Sequence, residues 1–449
     1  MSRLLPALLL VMAPALARAG ALDDFYRAVV AADPRLAIAS ASQDVAEAQR
    51  RQALAELLPQ ASAQASMTRT RQERSGLVDS DPVYYDGERY SINLQQPIFD
   101  ARRFKLYQAS RVRVSQSAHE ESGTRSEVRY DTIDRYLAAL SAAERLRLAR
   151  QEEETAATQQ AQVESLFKRQ MTKVTDLMTV QARADGLRAG RLRAEAAYQV
   201  ALDALAELAG QPVTVLAGLE ESAVLPPVDD TLAAVEERAA AVNENVQALR
   251  DAAVRAGHDL GAARARRLPV LGLQLAAQRS NIGYENSLLP RTETGVVGVN
   301  VTLPLFTGGA LSAMVGETRA RRRIADLELE SGLRQARVAT RSAWLQLRSL
   351  ESQVAAAHRA VESGAKAVEA NEKGYRLGVA TLVDVLDARR DAFAAERDYA
   401  DVRHEYLRQW ALLAELTGTL DDAAVRRLSA LLVRPVDGAV PPRAGGAPE

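Results

Sequence analysis

Two aspartates three residues apart, Asp384 and Asp387, open a helical stretch late in the sequence. Residues at i and i+3 share a helix face, so the two carboxylates project the same way. Two kinds of chemistry fit them. As acids in a first turn they favour the helix macrodipole and cap free N–H groups. In a symmetric assembly the same pair is multiplied into a ring of carboxylates around an axis, which attracts cations and can bind a blocking multivalent ion. The residues alone leave both readings open. Nothing else in the chain competes as a chemical centre. The histidines His119, His258, His358 and His404 are scattered over helical stretches without metal-ligand spacing. No G-x-S-x-G elbow, Walker loop or GxGxxG turn occurs, and Thr307-Gly308-Gly309 is read as a strand-to-helix corner that needs small residues. The expectation is therefore no enzyme, no catalytic residue, no cofactor and no resident metal.

The elements that position Asp384 and Asp387 follow from composition and periodicity. The chain has 449 residues, 47% of them hydrophobic but only 4% aromatic, with Ala, Leu, Arg, Glu and Gln dominating long proline-free stretches. That is the composition of extended helices. With 57 basic against 58 acidic side chains there is no global field to recruit nucleic acid. The absence of cysteine excludes disulfides, thiol chemistry and an N-terminal lipidated cysteine. Arg3, an apolar run over 4–11 and Ala17-Arg18-Ala19 read as a cleaved secretory signal over 1–19. No run of ~18 apolar residues follows, so contact with a bilayer would have to be made by strands.

The sequence repeats itself at a spacing near 208. Gln96-Pro97-Ile98-Phe99 returns as Leu303-Pro304-Leu305-Phe306, Tyr136 answers Trp344, Val174-Thr175-Asp176-Leu177 answers Leu382-Val383-Asp384-Val385, and Leu208-Ala209-Gly210 answers Leu416-Thr417-Gly418. Such anchors in constant order define two equivalent repeats, 20–210 and 231–420, joined by a proline-interrupted linker over 211–230 and followed by a tail over 421–449 expected to be flexible.

Each repeat is expected to begin with a helix (22–56; 231–267) and to continue with two alternating segments. Ala61, Ala63, Ala65 and Met67 alternate with polar residues, as do Tyr90, Ile92 and Leu94; in the second repeat Leu271, Leu273 and Leu275, then Val297, Val299 and Val301, do the same. Each strand thus has an apolar and a polar face. A soluble sheet with one wet side shows the same pattern, but segments of 8–12 residues in an exported chain also suit a tilted crossing of a bilayer. Four strands cannot close a barrel, and an open sheet in lipid leaves edge groups unpaired at several kcal/mol each, so other copies must complete the wall. Helical rods over 100–167 and 311–374 follow, each of roughly 100 Å, and each is answered by a returning helix over 176–209 or 384–416. Leu347, Val354, Val361, Val368 and Tyr375 fall seven apart, with Leu350, Ala357, Gly364 and Asn371 as a second seam whose small residues permit close helix approach. The matching seam in the first rod, through Leu146, Ala149, Ala156 and Val163, is broken by Glu153 and Gln160.

The run Tyr375-Arg-Leu-Gly-Val-Ala-Thr-Leu-Val-Asp384-Val-Leu-Asp387, followed by Leu416-Thr-Gly-Thr-Leu420 and supported by 91–100 and 299–309, resembles the TolC family of outer-membrane channel-tunnels, in its type I secretion and efflux branch. The resemblance covers about 22–420. It implies a mainly α fold with membrane β: a homotrimer whose strands form a twelve-stranded β-barrel in outer-membrane lipid, continued by a twelve-helix α-barrel in the periplasm of a Gram-negative bacterium. It implies docking to a periplasmic adaptor and an inner-membrane transporter, and passive passage of drugs or unfolded protein. It further implies that Asp384 and Asp387 ring the pore constriction, and that Tyr375 links to Asp176 in a closed gate. Thr175 matches a threonine faced in relatives by an arginine, where this chain has Ala380, so that latch is missing or replaced. The tips Arg169, Gln170 and Met171, and Leu377, Gly378 and Val379, resemble adaptor-contacting turns. The alternative weighed against this is a periplasmic adaptor, which also uses long hairpins but normally one, flanked by β-rich segments.

Overall fold

The computed structural model describes residues 21–73, 81–213, 216–228, 230–283 and 287–436. The expected signal over 1–19 lies outside them. In chain order the elements are α1 (Ala21–Ala32), α2 (Pro34–Ala55), β1 (Gln60–Gln72), β2 (Val83–Phe99), α3 (Ala101–Lys168), α4 (Val174–Ala209), β3 (Ala217–Leu219), α5 (Leu232–Val242), α6 (Glu244–Ala265), β4 (Val270–Ile282), β5 (Leu288–Thr302), α7 (Ala310–Arg376), α8 (Leu382–Leu416), α9 (Asp422–Leu431) and β6 (Leu432–Pro435). The described residues form two compact units, one within 38–123 and 244–335, the other within 21–37, 124–243 and 336–436.

The first of these units holds a four-stranded antiparallel sheet in the order β1-β2-β4-β5. Its register carries the alternation across every strand. Ala63 pairs with Ile92 and Ile92 with Ala277; Leu94 pairs with Leu275 and Leu275 with Val297. Directly paired residues share a face, so one side is apolar over the helix-proximal part of the sheet and turns charged level with Tyr90, at Arg279 and Glu293, while the other carries Gln64, Ser91, Gln278 and Thr294. At the helix end a bulge between Pro97 and Phe99 returns Phe99 to the apolar side opposite Leu271. The strands run longer than the alternation suggested, β1 to Gln72 and β2 from Val83. Beyond β5, Thr307 to Gly309 makes the expected corner, the Ala310 N–H donating to Thr307 O at 3.1 Å.

The second unit is helical and contains the main core. Leu22, Ile133, Tyr136, Leu205, Leu347 and Leu407 are fully buried there. The repeat anchors Tyr136 and Trp344 both tie down the linker: the Ala217 N–H donates to the Tyr136 hydroxyl at 2.9 Å, and the Trp344 indole donates to Asp230 O at 3.1 Å.

Two expectations need correction. The opening helices are each broken once. Asp33 precedes Pro34, whose ring disfavours helical backbone at the residue before it, and the Asp33 carboxylate accepts instead from the Arg35 N–H at 2.8 Å. Asn243 is extended, and its side chain donates to Leu416 O at 3.3 Å. The flexible tail over 421–449 is also wrong for its first part. Asp421 caps α9 by accepting from the Ala424 N–H at 2.7 Å, Ala424, Val425 and Leu428 are buried in the main core, and β6 pairs antiparallel with β3 of the linker. The prolines beyond that point masked an amphipathic turn with buried residues at i, i+1 and i+4. The remainder of the tail lies outside the described residues.

Candidate gate at the hairpin tips

The rod α7 and its return α8 pack along the heptad seam expected for them. Leu347 and Leu350 are buried, and Val354, Ala357, Val361, Gly364 and Val368 are each covered more than their neighbours. A Cβ on Gly364 would lie 3.2 Å from the Ala392 backbone, so a side chain there would push the helices apart by a few tenths of an ångström. The packing of α3 on α8 has a different chemistry, which the sequence reading missed. Arg145 pairs with Asp401 at 2.9 Å, Glu152 with Arg397 at 2.9 Å, and Arg389 donates to Gln159 at 3.4 Å. Residues 145, 152 and 159 are themselves seven apart, a polar heptad. Glu153 and Gln160, taken as breaks, point elsewhere: Glu153 pairs with Arg191 at 2.7 Å and Gln160 donates to Glu164 at 2.9 Å.

The two helical hairpins end in the same turn. Met171 and Gln170 donate to Leu166 O and Phe167 O at 2.9 and 2.8 Å; Val379 and Gly378 donate to Gly374 O and Tyr375 O at 2.9 and 3.1 Å. This is the paired hydrogen-bond pattern that closes a helix through a left-handed residue. The left-handed position is Gln170 in one tip, with φ 61°, and Gly378 in the other, with φ 76°. Arg169, Gln170, Met171, Leu377, Gly378 and Val379 are all exposed, and Met171, Leu377 and Val379 keep 69%, 70% and 81% of their surface. Beneath the tips, Val163, Leu177, Val180, Leu382 and Leu386 form a small separate core.

The carboxylates sit in the first turns just past the tips. Asp384 closes a capping box: Thr381 Oγ1 accepts from the Asp384 N–H at 3.2 Å, while the carboxylate accepts from the Thr381 N–H and hydroxyl, both at 2.7 Å. Those two bonds hold the Asp384 carboxyl below the usual carboxylate range. Asp387 faces Arg390 at 3.2 Å and Arg183 at 3.8 Å. Asp384 thus fulfils the capping role while remaining exposed and charged. Asp176 accepts from the Thr172 hydroxyl at 2.8 Å, and the Tyr375 hydroxyl makes no hydrogen bond among the described residues, so this chain alone does not join Tyr375 to Asp176. Thr175 lies in the same turn, its carbonyl accepting from Thr179 at 2.8 Å.

Of the four scattered histidines, His404 is buried, which its sequence position did not reveal. His404 on α8 lies in the helical unit with its Nδ1 3.0 Å from Ser141 Oγ. Burial pushes its imidazole down to about 4, against the opposing influence of Glu144.

The described chain is thus duplicated, with one four-stranded antiparallel sheet and two long helical hairpins. The chain belongs to the family described as outer membrane efflux protein, whose model matches residues 26–211 and 235–419, one match for each repeat. It is 28% identical over 352 residues to the alkaline protease secretion protein AprF of Pseudomonas aeruginosa, covering 78% of this chain and 73% of that one. It is 25% identical over 413 residues to the outer membrane protein TolC of Vibrio cholerae, covering 91% and 93%. Among solved structures, the Campylobacter jejuni CmeC outer membrane channel superposes with a TM-score of 0.78 at 17% identity over 92% of this chain and 89% of that one, a likeness of fold. The protein is accordingly an outer-membrane channel of the efflux and secretion type.

Proposed function

We propose that three copies of this chain form a passive exit duct, in which an inner-membrane pump supplies the energy and a periplasmic adaptor engages the exposed tips. One observation carries the reading. The sheet β1-β2-β4-β5 is apolar over the helix-proximal part of one face, through Ala61, Ala63, Ile92, Leu94, Leu275 and Val297, and β1 and β5 remain open edges. In hydrocarbon each unpaired edge group costs several kcal/mol, and pairing β5 of one copy with β1 of the next removes that cost. Three copies supply twelve strands from four each, enough for a closed barrel. The cargo is a drug-like molecule or an unfolded protein, in line with the secretion and efflux names of the relatives.

Asp384 and Asp387 form the constriction in this reading, repeated around the axis, and Tyr375, Asp176 and Thr175 belong to the gate beside them. The apolar side chains of Met171, Leu377 and Val379 suit an adaptor contact because they are unpartnered at the ends of both hairpins. The adaptor alternative gains no support: two hairpins and two strand pairs repeat, and the family match covers both repeats. Native mass measurement of the detergent-extracted protein tests assembly; a trimer is expected, and a folded monomer that inserts into liposomes overturns the reading. Planar-bilayer recordings test the gate. Asp384→Ala with Asp387→Ala is expected to weaken cation preference and divalent block, and unchanged selectivity removes both residues from the constriction.

A further inference from the structure

We propose that the helix end of the sheet carries a binding belt for the phosphate headgroups of anionic glycerophospholipids, an inference that rests on the apolar sheet face lying in lipid. Charge in this chain is balanced globally but not locally. Residues 101–105, 264–267 and 319–323 hold ten basic side chains and no acidic one, in a sequence with 57 basic and 58 acidic residues overall. All three segments belong to the unit that contains the sheet, and all three flank its helix end. Residues 101–105 open α3 directly after β2, and 264–267 close α6 just before β4. The third segment lies nine residues into α7, roughly 14 Å along it.

Part of this charge is bound internally. Arg103 pairs with Asp100 at 3.2 Å, and Arg321 with Glu317 at 2.6 Å. Arg264, Arg266, Arg319 and Arg323 are exposed and have no ion pair among the described residues. The opposite end of the sheet differs. There Arg69 faces Asp86 at 3.9 Å and Arg279 faces Glu293 at 3.5 Å across neighbouring strands, and Arg291 of β5 reaches over β4 to Glu88 of β2 at 3.7 Å. Unpaired cation is thus concentrated where the strands give way to helices.

Exposed apolar side chains lie at the strand ends and among these arginines. Phe99 and Phe104 are about half exposed, and Leu305 and Phe306 are each 89% exposed. Apolar and aromatic side chains beside arginines match the neighbouring acyl chain and phosphate of a lipid leaflet. These apolar side chains commit the partner to a lipid, since a free phosphate has no use for them. A cleft of about 310 Å³ among α3, α6 and α7 gives the headgroup a place to sit, with Arg102, Arg266 and Arg321 around it and Leu106 and Met314 on its apolar side. Its single carboxylate, Asp259, has its carboxyl pushed up by burial, which weakens it as a competing anion.

The test uses the full chain in detergent with an equal mixture of phosphatidylglycerol and phosphatidylcholine, and reads the retained lipids by native mass spectrometry. The expected result is retention of phosphatidylglycerol at least about threefold over phosphatidylcholine, abolished by high salt and by Arg266→Gln, Arg319→Gln and Arg323→Gln together. Soluble glycerol phosphate is expected not to displace the lipid; displacement at equal concentration overturns the lipid assignment. Equal retention of the two lipids by the unaltered chain, or unchanged preference in the triple variant, overturns the belt. A chain that enters liposomes without headgroup preference overturns the belt and leaves the duct standing. A chain that does not enter them overturns both.

Discussion

The two hairpin tips are built on one plan and stabilised unequally. At the second tip Gly378 occupies the left-handed position without steric cost, Thr381 caps α8, and Asp384 returns the bond to complete the box. At the first, Gln170 is forced into the same conformation, Lys173 caps α4 with no side-chain bond, and Asp176 turns to Thr172 instead. A left-handed residue with a side chain costs about 1–2 kcal/mol, and a missing cap about 1 kcal/mol. The first tip is therefore the softer of two equivalent turns, and the one expected to yield first when a partner or an open state pulls on the helices. Duplication supplied the geometry; divergence at Gln170/Gly378 and Lys173/Thr381 supplied the asymmetry.

The largest expected effect sets the pH window in which this asymmetry can be measured. His404 titrates at about 4 when folded and near 6.5 when unfolded, so the unfolded chain takes up the proton first as pH falls. Stability contributed by the neutral imidazole is complete above about 6.5 and is lost as pH drops towards 4, by roughly 3 kcal/mol per chain. His404→Gln should flatten that slope in denaturant unfolding monitored by circular dichroism, while an unchanged slope shifts the acid response to other groups. Next comes the seam below the second tip. Gly364→Leu should destabilise the hairpin by about 1–3 kcal/mol through collision with Ala392, and a neutral result means the helices are not held at that distance.

Swapping the left-handed residues tests the comparison itself. Gln170→Gly should stabilise the first tip by about 1 kcal/mol and Gly378→Gln should destabilise the second by a similar amount, both read by amide exchange in the flanking turns. Equal effects of the same sign would break the contrast. The smallest effects belong to the caps. Thr381→Ala should cost about 1 kcal/mol and Lys173→Thr should return somewhat less, because Asp176 must leave Thr172 to complete a box. In acid the second tip should outlast ordinary carboxylate chemistry. The Asp384 carboxyl is depressed, so its contribution is intact above the unfolded carboxylate range and disappears only as pH falls through the lower folded value. Carbonyl chemical shifts of Asp384 across that range check it.

The long elements were legible because α3 and α7 run without proline and repeat at 208, and because register needs only period-two alternation once Ala63, Ile92 and Ala277 are aligned. Where legibility failed, a long-range contact overrode a local signal. The helix at 421–431 was lost behind downstream prolines, although Val425 and Leu428 find their partners in the main core. The polar heptad 145, 152 and 159 was invisible because a pattern sought among apolar residues cannot reveal packing carried by Arg145 and Glu152. The capping role of Asp384 was among the readings available from spacing alone; its reciprocal bond with Thr381 required the fold. Tyr375 and Asp176, paired only by the family resemblance, are unlinked within a single chain, where Asp176 accepts from Thr172 instead.

The pairing of β6 with β3 carries a consequence for biogenesis. Every other element precedes β6 along the chain, yet the segment it fastens sits between the two repeats. A polypeptide threading through a translocase can wind its rods early, but the clasp around its middle closes only after almost everything has emerged. Late closure delays the finished shape until β1 to β5 have all emerged.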